Sequence, residues 1–211
     1  MRITKLGHCC LLIEEEKLKI LTDPGVYSTL QNNVKDVDVV LITHEHPDHL
    51  HIESLKIVLK NNPKAKVITN KSVGKILEKE NISFGIVEDK NRLTIKSVLL
   101  EGFGNEHAEI YKTFGLVQNT GYFINSRFFY PGDAFHVPSK KVEILALPVA
   151  GPWCLLKDSI EYALKVKPEV AFPVHDGALN FFGPYHMLPS KILPENGIRF
   201  EILGEGEQVE F

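Results

Sequence analysis

Cysteine is scarce in this sequence: there are three in 211 residues, with Cys9 and Cys10 adjacent and Cys154 alone, which rules out a disulfide-stapled scaffold. Long apolar runs are missing too. No stretch reaches the ~18 apolar residues of a membrane-spanning helix, and the start, MRITKLGHCCLLIEEE, has neither the apolar core nor the small-residue cleavage site of a secretory leader. A cytoplasmic protein without a membrane span is expected. Positive charge is not in excess, since 24 Lys and Arg against 27 Asp and Glu leave a formal net charge of -3, so the broad basic footprint of a nucleic-acid binder is absent. The basic run Lys56, Lys60, Lys64, Lys66, Lys71, Lys75 and Lys79 ends in i, i+4 spacing interleaved with Glu78 and Glu80, the pattern of a solvated helix face. No linker rich in Pro, Gly or Ser, no low-complexity segment and no fixed repeat divides the chain. With 44% hydrophobic and 24% charged residues, one large globular domain over residues 1–211 is expected.

What is present alternates between two styles. HCCLLIEEEKLKILTD reads as two strands joined by a tight charged turn, the second running into Asp23, Pro24 and Gly25. Cys9 and Cys10, on one of those strands, should face opposite sides of it. VDVVLIT, residues 37 to 43, is a β-branched run of the kind found in a strand buried on both faces. A helix around 52–60, a strand at KVIT and a helix around 71–80 closing at Asn81 follow. The middle third, from RLTIKSVLL to FGLVQNTGYFINSRFFYPGD, has the short strands and Asn, Gly and Ser turns of an antiparallel meander. EILALPV, a helix near 156–166 and EVAFPVH then restore strand, helix, strand order. The pattern predicts an α/β (α+β) protein with two sheets and helices outside. Asp23, His44, Asp133 and His175 each follow a predicted strand, so the chemistry should gather at the carboxyl ends of a sheet.

THEHPDHLH, residues 43 to 51, holds four histidines, a glutamate and an aspartate in nine positions. It is not the helical zinc motif HExxH, because position 48 is Asp and Pro47 would fall inside the helix. In an extended segment His44 and His46 project to one side and Glu45 to the other, and Pro47 favours extended geometry at His46. After Pro47 the chain can turn, aiming Asp48 and His49 at a second position beside the first. His51 falls on the first turn of the following helix, facing away.

This H-x-H-x-D-H run after a buried strand resembles the signature of the metallo-β-lactamase superfamily of dinuclear metallohydrolases. The resemblance extends over residues 6 to 180. LGHCCLLIE and ILTDPG at the start look like the branch with sugar-phosphate lactonases and phospholipase D-type phosphodiesterases. It implies a four-layer αβ/βα sandwich, two mixed sheets face to face with helices outside. It also implies two divalent ions, Zn(II) first, with Mn(II) and Fe(II) as alternatives. His44, His46 and His107 would hold the first ion, Asp48, His49 and His175 the second, and Asp133 both, with Asp48 and Asp133 as the catalytic carboxylates. A bridging hydroxide would then attack a lactone, ester, amide or phosphodiester.

Asp23 is expected to orient a ligating imidazole, or else to form a plain Asp-Pro turn. His8 is either a packed, hydrogen-bonded residue or a substrate contact. His136, Trp153, Tyr185 and His186 are placed in loops that could line the pocket or simply cover the core. The family's nucleases carry an added arm or domain for which 211 residues leave no room, so the expected partner is a small molecule, with oligomeric state open. No P-loop or arginine cluster offers a phosphate cradle. Lys157 and Arg127 are the candidate anion contacts, with surface charges as the plainer reading. Two other classes share the fold: a mononuclear iron persulfide dioxygenase, which uses a subset of these ligands, and a metal-stabilised binding protein, whose usual mark is a lost ligand.

Overall fold

A computed structural model describes residues 1–211. β1 (Arg2–Gly7), β2 (Cys10–Glu15) and β3 (Leu18–Thr22) form an antiparallel meander, and β3 continues in parallel through β4 (Val39–Leu41), β5 (Lys66–Thr69) and β6 (Phe84–Ile86). The parallel steps need crossovers: a loop with a short helical turn at Leu30–Asn33 makes the one from β3 to β4, and α1 (Ile52–Asn61) and α2 (Lys71–Lys79) make the next two. The second sheet repeats the scheme. β7 (Arg92–Ile95), β8 (Val98–Phe103), β9 (Gly121–Ile124) and β10 (Phe128–Tyr130) are antiparallel, and β11 (Ile144–Pro148), β12 (Val170–Val174) and β13 (Arg199–Phe200) extend it in parallel. A loop links β10 to β11, α3 (Leu156–Val166) and α4 (Gly183–Glu195) make the crossovers to β12 and β13, and β14 (Gln208–Glu210) returns to the first sheet beside β1.

Strand alternation divides the apolar residues among three layers of packing. Ile3, Leu11, Ile13 and Leu41 from the first sheet meet Leu100, Tyr122, Ile144 and Phe172 from the second in a central core. Leu21, Val40 and Val67 point the other way onto Leu55 and Val58 of α1 and Val73 and Leu77 of α2. Phe123, Leu145 and Ala171 do the same against Ile160 and Ala163 of α3 and Leu193 of α4. The result is the four-layer sandwich, and Cys9 and Cys10 indeed divide between the central core and the outer face of the first sheet. Lys71, Lys75 and Lys79 are exposed on α2. No helix is long and apolar enough to cross a membrane.

Two expectations need correction. FGLVQN forms no strand; it belongs to the loop between β8 and β9, where Val117 spends its carbonyl on the backbone N–H of His107 at 3.0 Å. Tyr185 and His186 lie not in a loop but on the first turns of α4, a helix with proline at its start and Pro189 and Pro194 inside. Prolines inside a helix remove backbone donors and clash with the preceding turn, which is why GPYHMLPSKILPE does not announce a helix in the sequence.

Candidate metal centre

Everything that gathers at the carboxyl ends of β3, β4, β10 and β12 does so because the chain leaves the sheets there. Beyond β4, Thr43 gives its backbone N–H to the Asp23 carboxylate (2.8 Å) instead of a strand neighbour. The segment stays extended through Glu45, then turns at Pro47 and Asp48, with the N–H groups of His49 and Leu50 closing on the His46 carbonyl at 2.9 and 2.8 Å. Glu45 turns outward and accepts from Ser72 on α2.

The loop after β3 supports this turn from below. Val26 donates to Pro47 O at 3.0 Å and His51 to Pro24 O at 3.1 Å. Gly25 lies so close that a β-carbon there would sit 1.7 Å from the Asp48 carbonyl oxygen. Gly132 is needed for a different reason: its φ of +63° and the 2.3 Å a β-carbon would leave to Asn119 Oδ1 admit only glycine. It turns the chain so that Asp133 enters the centre, with its N–H on Asn119 Oδ1 at 3.1 Å.

The seven side chains expected to act together do converge. His44, His46, His107 and Asp133 form one group, and Asp48, His49, His175 and Asp133 a second, each with candidate donor atoms within 4.8 Å of one another. Asp133 is common to both. All are buried except His46 and Asp48, which are half-buried at the rim. Nε2 of His44 and His107 are buried without hydrogen-bond partners, and Nε2 of His49 and Oδ1 of Asp133 have only each other, 3.0 Å apart.

The opposite ring nitrogens explain why. His107 Nδ1 is 2.5 Å from the Ala108 carbonyl, an acceptor only, so the proton is on Nδ1 and the Nε2 lone pair is free. His49 Nδ1 donates likewise to Asp23 Oδ2 at 2.7 Å. Thr43 gives its hydroxyl proton to Asp23 Oδ2 at 2.7 Å and so accepts from His44 Nδ1 at 3.0 Å. Each of the three imidazoles, in its neutral form, thereby carries its proton on Nδ1 and turns the Nε2 lone pair inward.

Charge follows the same plan. Burial would raise the Asp48 carboxyl, but hydrogen bonds from His175 and His8 hold it far below the usual carboxylate range. Burial acts on Asp133 in the same sense and is outweighed by His175, His49 and His44. Burial pushes His44 down, with His49 adding to it, whereas at His49 the nearby Asp133 carboxylate overcomes burial and pulls the imidazole up.

The surrounding residues sort themselves by contact. Asp23 is fully buried and serves His49, Thr43 and Tyr130. His8 is buried; its Nδ1 accepts from the Gly177 N–H at 3.1 Å, leaving Nε2–H to face Asp48 Oδ2 at 3.3 Å, and burial lowers its pKa to about 4. Trp153 donates its indole N–H to Asp133 Oδ2 at 2.8 Å. His136 lies beside His107 in a separate cleft. His186 is removed from the cluster and meets Asp176 at 3.0 Å. His51 stands at the start of α1, facing away from the cluster, and its ring bonds the Ser54 hydroxyl at 2.9 Å rather than a backbone N–H. Arg127 is tied to Glu143 and Lys157 is exposed near Asp158, so neither reaches the centre.

Sequence reasoning missed Cys9, whose thiol lies within 4.8 Å of donor atoms of His8, His49 and His175. It also missed Asn119 and Thr43, whose uncharged side chains carry no signal of their own. His8, Asp23 and His175 all have positive φ, at 48°, 34° and 61°, a conformation that costs non-glycine residues about 1–3 kcal/mol each and clusters at functional sites.

Comparison with known proteins adds to this geometry. The family described as beta-lactamase superfamily domain matches residues 2–175. Protein Rv0786c of Mycobacterium tuberculosis is 31% identical over 180 residues, 83% of this chain and 84% of that protein. A protein of Alkaliphilus metalliredigens named UPF0173 metal-dependent hydrolase is 27% identical over 83% of this chain and 85% of its own length. In three dimensions the chain is similar to Igni18, a metallo hydrolase from Ignicoccus hospitalis, with a TM-score of 0.78 at 18% identity, covering 100% of this chain and 98% of the other.

Proposed function

The chain belongs to the beta-lactamase superfamily, and from that premise we propose that it is a metal-dependent hydrolase of a small-molecule lactone, ester, amide or phosphodiester, acting as one domain. The observation that carries this reading is the convergence of buried donor atoms on one space: Nε2 of His44 and His107 have no hydrogen-bond partner, and Nε2 of His49 faces only Oδ1 of Asp133, at 3.0 Å. Leaving such groups unsatisfied costs about 1–3 kcal/mol each, a penalty that a bound cation removes. The donors are imidazole and carboxylate with an open side, which suits Zn(II), and also Mn(II) or Fe(II), in a catalytic rather than a closed structural site. His44, His46 and His107 would hold one ion, Asp48, His49 and His175 the other, and Asp133 both.

Such a donor set, once loaded, would supply Lewis acidity and an activated water near neutral pH. The chain does the rest. Asp23 fixes His49 directly and His44 through Thr43, so that neither ring can turn its protonated nitrogen inward. His8 and Trp153 hold the two catalytic carboxylates, Asp48 and Asp133. Asp48, its side chain 21% exposed against 2% for Asp133, is the carboxylate an entering substrate meets. A mononuclear dioxygenase would use the first group of ligands and leave the convergence of Asp48, His49 and His175 without purpose, and a non-catalytic scaffold would not need the open side.

The test is a panel of phosphodiesters, lactones, thioesters and β-lactams on metal-quantified protein with Zn(II), Mn(II) and Fe(II), alongside a sulfite-release assay. Metal-dependent turnover of one hydrolytic class is expected, abolished in His49→Ala and Asp133→Ala while circular dichroism stays native. Full activity in either variant with metal content unchanged, or sulfite release as the only activity, would contradict the reading.

A further inference from the structure

A cleft of about 410 Å³ opens over the Asp48 and His175 side of the centre, a size that suits a small organic molecule. Its floor is polar, made by His8, Asp48 and His175, while Val26, Tyr27, Ala150, Pro152 and Leu179 form its walls. Val26 and Tyr27 are 42% and 51% exposed, and Tyr27 stands edge-on to His8 with ring centroids 5.2 Å apart. Large apolar side chains kept in water around a reactive centre mark a place where apolar surface is to be covered.

The charge census is equally specific. No lysine or arginine lines this cleft, nor the neighbouring one of about 540 Å³ beside His107, which instead carries Glu106. The one buried lysine, Lys5, is committed to both oxygens of Asp176 at 2.7 and 2.8 Å and to the Pro173 carbonyl at 3.0 Å. Arg127 is held by Glu143. The ions of the centre would be engaged by the reacting group, so an anionic substituent seated against either wall would lose water with no lysine or arginine to pair with it, and beside His107 would face Glu106.

We propose that the centre selects substrates whose non-reacting substituent is uncharged and apolar, seated against Val26, Tyr27 and Leu179, and that it disfavours phosphorylated or carboxylated ones. The proposal rests on the hydrolase reading, since the substituent is defined relative to the bond cleaved. Seating it there brings the scissile group over His175 and Asp48 on the cleft floor and covers the exposed wall.

The test uses two δ-lactones differing only in the substituent, an alkyl chain in one and a phosphorylated hydroxymethyl group in the other, with the metal-loaded full chain. The alkyl lactone should show kcat/KM roughly tenfold or more above its partner, within the range that apolar pocket contacts supply. The corresponding cyclic ethers, which lack the scissile carbonyl, are titrated separately by the emission of Trp153, the sole tryptophan. It stands edge-on to His175 at 5.6 Å. The alkyl ether should bind more tightly, and Val26→Lys, with metal content unchanged, should reverse both orders. A wild-type preference for the phosphorylated ligand in the binding titration overturns the proposal. Absence of turnover for both lactones, with the alkyl ether still favoured in binding, sinks lactone hydrolysis and leaves the apolar cleft supported.

Discussion

Asp23 makes no contact with the space between the two ligand groups, yet Thr43 N–H, Thr43 O–H, His49 Nδ1–H and Tyr130 O–H all end on its carboxylate. An amide in its place has one acceptor oxygen and presents donors on the other side. Asp23→Asn should therefore leave the chain folded but weaken metal binding by ~10–100-fold, read by competition with a chelator of known affinity; an unchanged affinity would show that His49 is oriented by packing alone. His51→Ala, which removes only a bond to Ser54, should change metal content and turnover little, whereas His46→Ala should abolish both. At this scale the sequence is most informative where spacing constrains direction: alternation puts His44 and His46 together, and a proline turn sends Asp48 and His49 elsewhere. It is silent on His8, because whether that ring is a packed residue or faces Asp48 depends on Gly177, 169 positions away.

Between elements, the centre is held by side chains that serve two masters. Asn70 caps α2 by accepting from the Ser72 and Val73 N–H groups at 3.1 Å each, and its amide donates to the Thr43 carbonyl at 2.8 Å. Asn70→Ala should lower the unfolding free energy by ~1–2 kcal/mol for the lost cap, with an added loss of metal affinity because the ligand loop is released; Asn70→Asp should restore the cap but not the affinity. Denaturation midpoints and metal titrations of the two variants separate the effects. Gly25→Ala tests the contact between the loops after β3 and β4. Its β-carbon would press on the Asp48 backbone rather than on a movable side-chain tip, so a loss of about 1–3 kcal/mol is expected, together with a displaced Asp48. The regular elements were legible because their apolar periods are clean, as in β2, β3, β5, α2 and α3. α4 was not, because its prolines argue locally against the helix that packing on the second sheet stabilises.

Across the whole molecule, one buried ion pair clasps the two sheets behind the centre. Lys5 of β1 meets Asp176, next to His175, although the two are 171 positions apart; no local pattern could reveal it. Burial acts to raise the Asp176 carboxyl, but His186 and Lys5 outweigh it and hold the pKa below its ordinary value. A depressed carboxylate contributes stability that is fully present above the unfolded value of about 3.9 and is lost as pH falls through the folded one. The stability difference between wild type and Asp176→Asn should therefore be largest at neutral pH and shrink below about pH 4, as urea denaturation at both pH values would show. Lys5→Met at neutral pH should cost ~3–5 kcal/mol, since it strands the partner charge.

The two-sheet architecture with outer helices was readable from the switch between α/β alternation and meander. The centre was readable in outline because it sits at strand ends of both sheets. Its account stands most directly on metal stoichiometry and position, measured together by elemental analysis and anomalous scattering on crystals grown with Zn(II). Two ions per chain are predicted, one among His44, His46 and His107 and one among Asp48, His49 and His175, with Asp133 between them. A single ion, or ions bound away from these seven side chains, would contradict it.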